Sequence, residues 1–302
     1  MKKAIIAAAV ALAMSGVAQA ADKLDFSISG RVAAYVESIK EGTAPRDEQQ
    51  TSDITWVTVK GSQDLGNGLK ANVKVRTRLF VDDPALTKVG GDQLTVGLSN
   101  AMGSLDIGRN YHALGTATIK YDVVWTDYGS HYDDIHSAQN RRLSNGVFAT
   151  VNLGKNLKLQ YDRGDNIVTG VKDVNVYSAH AKLGDLSGSV LRYDDGAKNV
   201  TTAVGVEYKL PATGTTLVGF YSDDKQNGVE TKGKSLGVRQ HLTGPWSATV
   251  GYGTNDDAKS YVGGLTYNFT KDAMVHARYT KLDHDVATKS REQFGLGLEV
   301  WF

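Results

Sequence analysis

The chain has 302 residues, 33 of them glycine, 4 proline and none cysteine, with 34 basic against 33 acidic side chains and a formal charge of +1. So even a balance argues against a nucleic-acid binder. The absence of cysteine excludes a disulfide framework, leaving packing and hydrogen bonds to hold the fold.

In chain order, the first stretch is MKKAIIAAAVALAMSGVAQA. Lys2 and Lys3 form a basic lead, an alanine-rich apolar run follows, and Ala18-Gln19-Ala20 supplies a small-residue cleavage pattern. This predicts a cleaved export signal over 1–20. Its loss takes away two lysines and no acids, so the charge moves from +1 to −1. No later apolar run approaches the ~20 residues of a transmembrane helix.

From residue 24 onward one pattern repeats: alternating segments of roughly ten residues, separated by turn-forming clusters. Clear cases are LDFSISGRV (24–32), LKANVKVRTRL (69–79), LKLQYD (157–162), VGVEYKL (204–210), SLGVRQHL (235–242) and FGLGLEVWF (294–302). Helical periodicity is hard to find. The connectors alternate in size. DLGNG (64–68), NAMGS (100–104), LGKN (153–156), LGD (183–185), LPATGT (210–215), TGP (243–245) and NFTKD (268–272) are short. Those at 38–53, 81–92, 163–173, 223–234 and 281–292 are longer and charged. Tight turns at one end and long loops at the other are the habit of outer-membrane barrels, and the length accommodates about sixteen strands.

Energetics lead the same way. The polar faces carry Lys, Arg, Asp and Gln, which form no dry core without paired charges. Lipid on the apolar face and water on the polar face remove the conflict, and closing the sheet satisfies every edge hydrogen bond. The expected fold class is all-β: a transmembrane antiparallel β-barrel over residues 21–302.

KGSQDLGNGLKA (60–71), LTVGLSNAMGSLDIGRNYHALG (94–115) and the terminal Phe302 behind alternating apolar residues carry a resemblance. Together they resemble the general diffusion porins of Gram-negative outer membranes. The resemblance implies a homotrimer of sixteen-stranded barrels in the outer membrane. It also implies a water-filled pore and a third external loop folded inward, here about 112–140. It makes Phe302 the signal read by the outer-membrane assembly machinery. Lipid and lipopolysaccharide are the expected surroundings. No cofactor, metal, nucleic acid or enzymatic activity is expected.

Strand phase then nominates pore residues. Leu69, Ala71, Val73, Val75 and Leu79 share one face, so Lys74, Arg76 and Arg78 share the other with Lys70 and Asn72. Such a row of cations is tolerable only beside water or opposed acids. Arg31 faces inward on the first strand, and the resemblance places Arg109 and Arg142 in the constriction as well. Strict alternation groups Arg109 with Leu105 and Ile107 unless Gly108 hosts a bulge, and Arg141 is the register-slipped rival of Arg142. The loop acids set against this basic wall are Asp122, Asp127, Asp133 and Asp134. The family's proline-glutamate-glycine turn is absent, and Trp56 stands where many members carry arginine.

The expected function is passive diffusion of small hydrophilic solutes and ions, with mild anion preference. The alternative is a substrate-selective channel in which Trp56, Tyr121, Trp125 and Tyr128 stack on sugars or other planar solutes. The competing role for those rings is to anchor the loop on the barrel wall. Tyr161, Tyr177, Tyr208, Trp246, Tyr261, Tyr267, Tyr279 and Trp301 are candidates for interfacial girdles.

Overall fold

The computed structural model describes residues 24–51, 55–79, 89–122, 135–136, 141–166, 170–196 and 199–302. The expected signal over 1–20 therefore lies outside the described residues, as do Trp125, Asp127, Tyr128, Asp133 and Asp134.

The first strands are β1 (Leu24–Glu41), β2 (Asp47–Thr51), β3 (Trp56–Gly66) and β4 (Leu69–Leu79). β5 (Val89–Asn100) and β6 (Gly103–Tyr111) lead into helix α1 (Ala113–Tyr121). Then come β7 (Arg142–Leu153), β8 (Leu157–Asn166), β9 (Val171–Leu183) and β10 (Leu186–Asp194). β11 (Val200–Leu210), β12 (Thr215–Gln226), β13 (Val229–His241) and β14 (Trp246–Thr254) follow. β15 (Ala258–Thr270), β16 (Ala273–His284) and β17 (Arg291–Trp301) complete the sheet.

Every pairing is antiparallel, and sequence neighbours pair from β3 to β17. One edge of β1 takes β17 from Arg31↔Trp301 to Glu41↔Arg291. Its other edge takes β3 over Leu24–Arg31 and then β2 over Tyr35–Ile39. β2 thus continues the line of β3, and seventeen strand segments make a closed barrel of sixteen staves.

Alternation decides which way each side chain points. On β1, Arg31, Ala33, Tyr35 and Glu37 are buried inside, whereas Val32, Ala34 and Val36 are exposed outside. On β17, Gln293 and Glu299 are inside and Phe294, Leu296, Leu298 and Val300 outside. Ile28, Val96, Leu236 and Val250 continue the outer band. Such a belt is unfavourable in water and favourable against lipid tails. Outward Tyr161–Tyr177, Trp246–Tyr267 and Tyr252–Tyr261 ring pairs stand along it. Trp301 differs: its ring packs against Trp56 and Arg31 on the inner side.

One substitution pair tests this sidedness. Val250→Glu on the outer face of β14 is expected to cost about 2 kcal/mol, and Thr249→Glu, its inward neighbour opposite Arg239, close to nothing. Urea unfolding in phospholipid vesicles checks it; equal costs for both would contradict an outer lipid face.

The long connectors are shorter than the sequence suggests. In 223–234 only Asn227 and Gly228 form the turn, both with positive φ (51° and 90°). Asn-Gly is the preferred pair for such a hairpin. The charged residues on either side extend the ladder, with Asp223 opposite Lys232 and Lys225 opposite Glu230. Beyond the apolar belt a strand continues in water, where opposed charges support it.

Helix α1 lies on the inner wall. Ala113, Leu114, Ala117 and Tyr121 bury against Leu143, Phe148, Val174, Val176, Leu191, Tyr193, Ala203 and Phe220. Here the inner face of the strands also carries apolar side chains, and these meet the helix. The helix start is tied down twice: His112 Nδ1 accepts from Gly115 N (3.1 Å), and Asp162 Oδ2 on β8 accepts from Ala113 N (2.7 Å). Both satisfy amides that the first turn leaves unbonded, and the carboxylate also meets the positive end of the helix dipole.

Candidate functional site

The inner face of β4 carries Lys74, Arg76 and Arg78 in a row. Repulsion between such neighbours is relieved by an acid supplied by the next strand. The β4–β5 register shifts between Arg76↔Gln93 and Thr77↔Gly91, which leaves Asp92 as an extra residue on β5. The bulge delivers its carboxylate into the row, where it is almost fully buried. Arg76 Nε lies 2.8 Å from Asp92 Oδ2 and Arg78 Nε 3.5 Å from Oδ1. Arg142, at the start of β7, ion-pairs with Oδ1 as well.

Three guanidinium groups therefore share one carboxylate. Aromatic faces hold two of them in place: Arg76 sits 4.3 Å from the Trp56 ring centroid and Arg142 4.3 Å from that of Tyr111. A planar, permanently charged guanidinium suits this stacking as an ammonium does not. The face of Trp56 expected to be open for a solute is thus the one Arg76 covers.

Arg31 is set differently. It is buried, donates to Tyr35 Oη (2.8 Å) and ion-pairs with Glu299. Tyr35 Oη donates in turn to Glu299 Oε1 (2.9 Å), and His276 stacks on Tyr35 with centroids 5.6 Å apart. Glu299 lies on β17, so the charge of Arg31 is largely compensated across the β1–β17 seam. The Trp56–Trp301 edge contact (5.7 Å) joins this network to the arginine cluster.

Arg109 is not brought to the cluster's carboxylate. The β6–β7 pairing does shift between Gly108 and Asn110, but the extra residue falls on β7. Arg109 stays opposite Leu94, in the outward phase of Leu105 and Ile107. It donates to Ser144 Oγ (2.6 Å) and to the Asp92 carbonyl (3.3 Å). Between the register rivals, Arg142 reaches the carboxylate, while the Arg141 carbonyl accepts from His112 N.

On β8–β13 the described part of the 112–140 connector is firmly seated. Tyr121 packs against Phe220 and shares a hydrogen bond with Ser189 (2.8 Å). Burial pushes its phenol above the usual tyrosine range, so it stays neutral. Asp122 is buried, and its carbonyl accepts from Arg239 (2.6 Å). Farther along the loop, His136 bridges Ser222 (2.8 Å) and Ser235 (3.1 Å). The inner face therefore carries an arginine-rich cluster on β4, β5 and β7, and helix α1 with Asp122 and His136 seated against β8–β13.

The Gram-negative porin family model matches residues 7–287. The chain belongs to that family. No curated protein sequence matches this porin. Among solved structures, a loop-deletion mutant of OmpT, an outer membrane protein of Vibrio cholerae, is 14% identical with a TM-score of 0.75. The porin matches it over 93% of its own chain and 100% of the other. An anion-selective porin from Comamonas acidovorans is 16% identical with a TM-score of 0.72, at the same coverages. A triple mutant of the Rhodopseudomonas blastica porin is also 16% identical, with a TM-score of 0.74 over 92% of this chain and 100% of that one. At such identities the likeness speaks for the fold. Family and fold together make the protein an outer-membrane channel for diffusion.

Sequence reasoning missed Asp92, Tyr111, Glu299 and His276. Asp92 had one available cue, the Gly90-Gly91 pair that breaks alternation just before it. Tyr111 is part of the quoted GRNY stretch. Glu299 had none, because its partner Arg31 lies at the other end of the sequence.

Proposed function

We propose that this porin passes small hydrophilic solutes and ions by passive diffusion, with a mild preference for anions. The observation that carries the reading is the sharing of one carboxylate, Asp92, by Arg76, Arg78 and Arg142. Three guanidinium groups gathered on one carboxylate bring positive charge to the lumen wall, which attracts anions and holds back cations. Lys74, two residues on, adds to it. The anion selectivity named for the Comamonas acidovorans porin is consistent with this. Nothing is bound tightly and no bond is broken.

Reversal potentials across planar bilayers in a KCl gradient test the preference. The expected sign is that of chloride permeating faster than potassium, falling toward zero as salt screens the wall. A clear potassium preference would overturn the reading.

The aromatic, sugar-stacking alternative is less well supported at the described rings. Trp56 is occupied by Arg76, and Tyr121, the last residue of helix α1, is packed against Phe220 on the barrel wall. Both serve better as anchors. Assembly as a homotrimer, contact with lipopolysaccharide and recognition of Phe302 during assembly belong to the same proposal. Phe302 exchanges backbone hydrogen bonds with Gly30 (2.8 and 3.1 Å), so the terminal aromatic completes the β1–β17 seam.

A further inference from the structure

On the short-turn side of the arginine cluster, the inner faces of β1 and β3–β6 enclose a recess of about 500 Å³. That is within the range of sites for small ligands. Its polar lining includes Lys60, Lys74, Asp25, Asp106, Asn72 and Asn110. Lys60 and Lys74 stand directly opposite each other across the β3–β4 ladder. Like charges in opposed ladder positions destabilise a sheet. Neither ammonium takes part in an ion pair among the described residues. An anionic group between the two would relieve that repulsion.

The rest of the lining narrows the ligand. Asp25 on β1 and Asp106 on β6 disfavour a bare inorganic anion, yet each accepts hydrogen bonds from hydroxyls. Asn72 and Asn110 donate and accept. A neutral sugar brings no negative charge to the opposed ammoniums, and a simple carboxylate brings no hydroxyl to Asp25, or to Asp106 beyond the bond it already accepts from Ser104. A single molecule with one negative charge and several hydroxyls satisfies both sets.

We propose that this recess is a binding station for a small polyhydroxylated monoanion of the sugar-acid class. Its carboxylate sits between Lys60 and Lys74, and its hydroxyls meet Asp106, Asn72 and Asn110. The inference deepens the permeation reading above and rests on it for solute access: an anion that clears the arginines next meets this recess.

Single-channel recording with D-glucuronate tests it, with D-glucose and acetate as the two partial mimics. Glucuronate is expected to interrupt the current at a concentration about tenfold lower than either mimic. Lys60→Gln/Lys74→Gln removes the difference, whereas Lys60→Arg/Lys74→Arg keeps it. Heat-modified electrophoretic mobility shows that each variant forms a barrel, and the arginine pair guards against a loss caused by misfolding. Glucose blocking as well as glucuronate, or a block that survives in the glutamine pair, overturns the proposal. Reversal potentials in the same membranes separate the two readings. Anion preference without a glucuronate block refutes the recess alone; a lysine-dependent block without anion preference refutes the selectivity reading and supports the recess.

Discussion

Asp92→Asn is expected to weaken the barrel and strengthen its anion preference together. The carboxamide keeps the shape of the side chain and removes its charge. Asp92 is 2% exposed at its side chain, with Arg76, Arg78 and Arg142 on its oxygens. Two unit charges 4 Å apart interact by about 4 kcal/mol at the effective dielectric of a protein surface. Leaving three guanidiniums without their shared partner should therefore lower stability by about 3 kcal/mol, as breaking other buried ion pairs does. The fixed charge of the cluster rises by one unit at the same time, so chloride should gain on potassium. Thermal loss of the folded electrophoretic band reads the first effect and the reversal potential reads the second. A variant unchanged in both would show that Asp92 does not organise this wall.

Gly205→Val is expected to open the channel. Gly205 lies on β11 beneath the Tyr121 ring, and a Cβ placed there would overlap the ring carbons. The ring has little room to yield, because it is also packed on Phe220 and bonded to Ser189. Valine should therefore lift the C-terminal end of α1 off the wall. Its N-terminal end, fixed by Asp162 and His112, stays in place. Single-channel conductance is expected to change by roughly twofold, because the narrowest section sets the flow. Gly263→Val is the control: nothing lies within 4 Å of its added Cβ. Equal conductance in both variants would mean that the loop's seat does not define the opening.

Much of the fold was legible in the sequence for one physical reason. A bilayer forces every strand to present one apolar and one wettable face, so a period of two runs through the chain. Lys74, Arg76 and Arg78 fell on the inner face for the same reason. The reading weakened where parity breaks. Asp92 enters the site through a bulge, and a pattern of two cannot place a residue that has no opposite number. At Gly108 the expected irregularity is present, yet its extra residue sits on β7, so Arg109 remains outward. Helix α1 escaped notice because ALGTATIKY is short and buries residues on most of its circumference. The apolar inner patch beneath it, Val174, Val176, Leu191 and Phe220, was hidden because a period of two does not say which face is the inner one where both carry apolar residues. Ion pairs such as Arg31–Glu299 join residues that neither spacing nor motif connects.

The seam between β1 and β17 has a kinetic consequence. It joins eleven residue pairs more than 240 positions apart in sequence, from Arg31↔Trp301 to Glu41↔Arg291. Contacts of such high order form late, since the intervening chain must be arranged before they can be made. Until then the nascent sheet carries two raw margins into hydrocarbon, where each unmet backbone group is penalised by several kcal/mol. Partly zipped intermediates should consequently be scarce at equilibrium, and the cylinder should form and come apart as one cooperative unit.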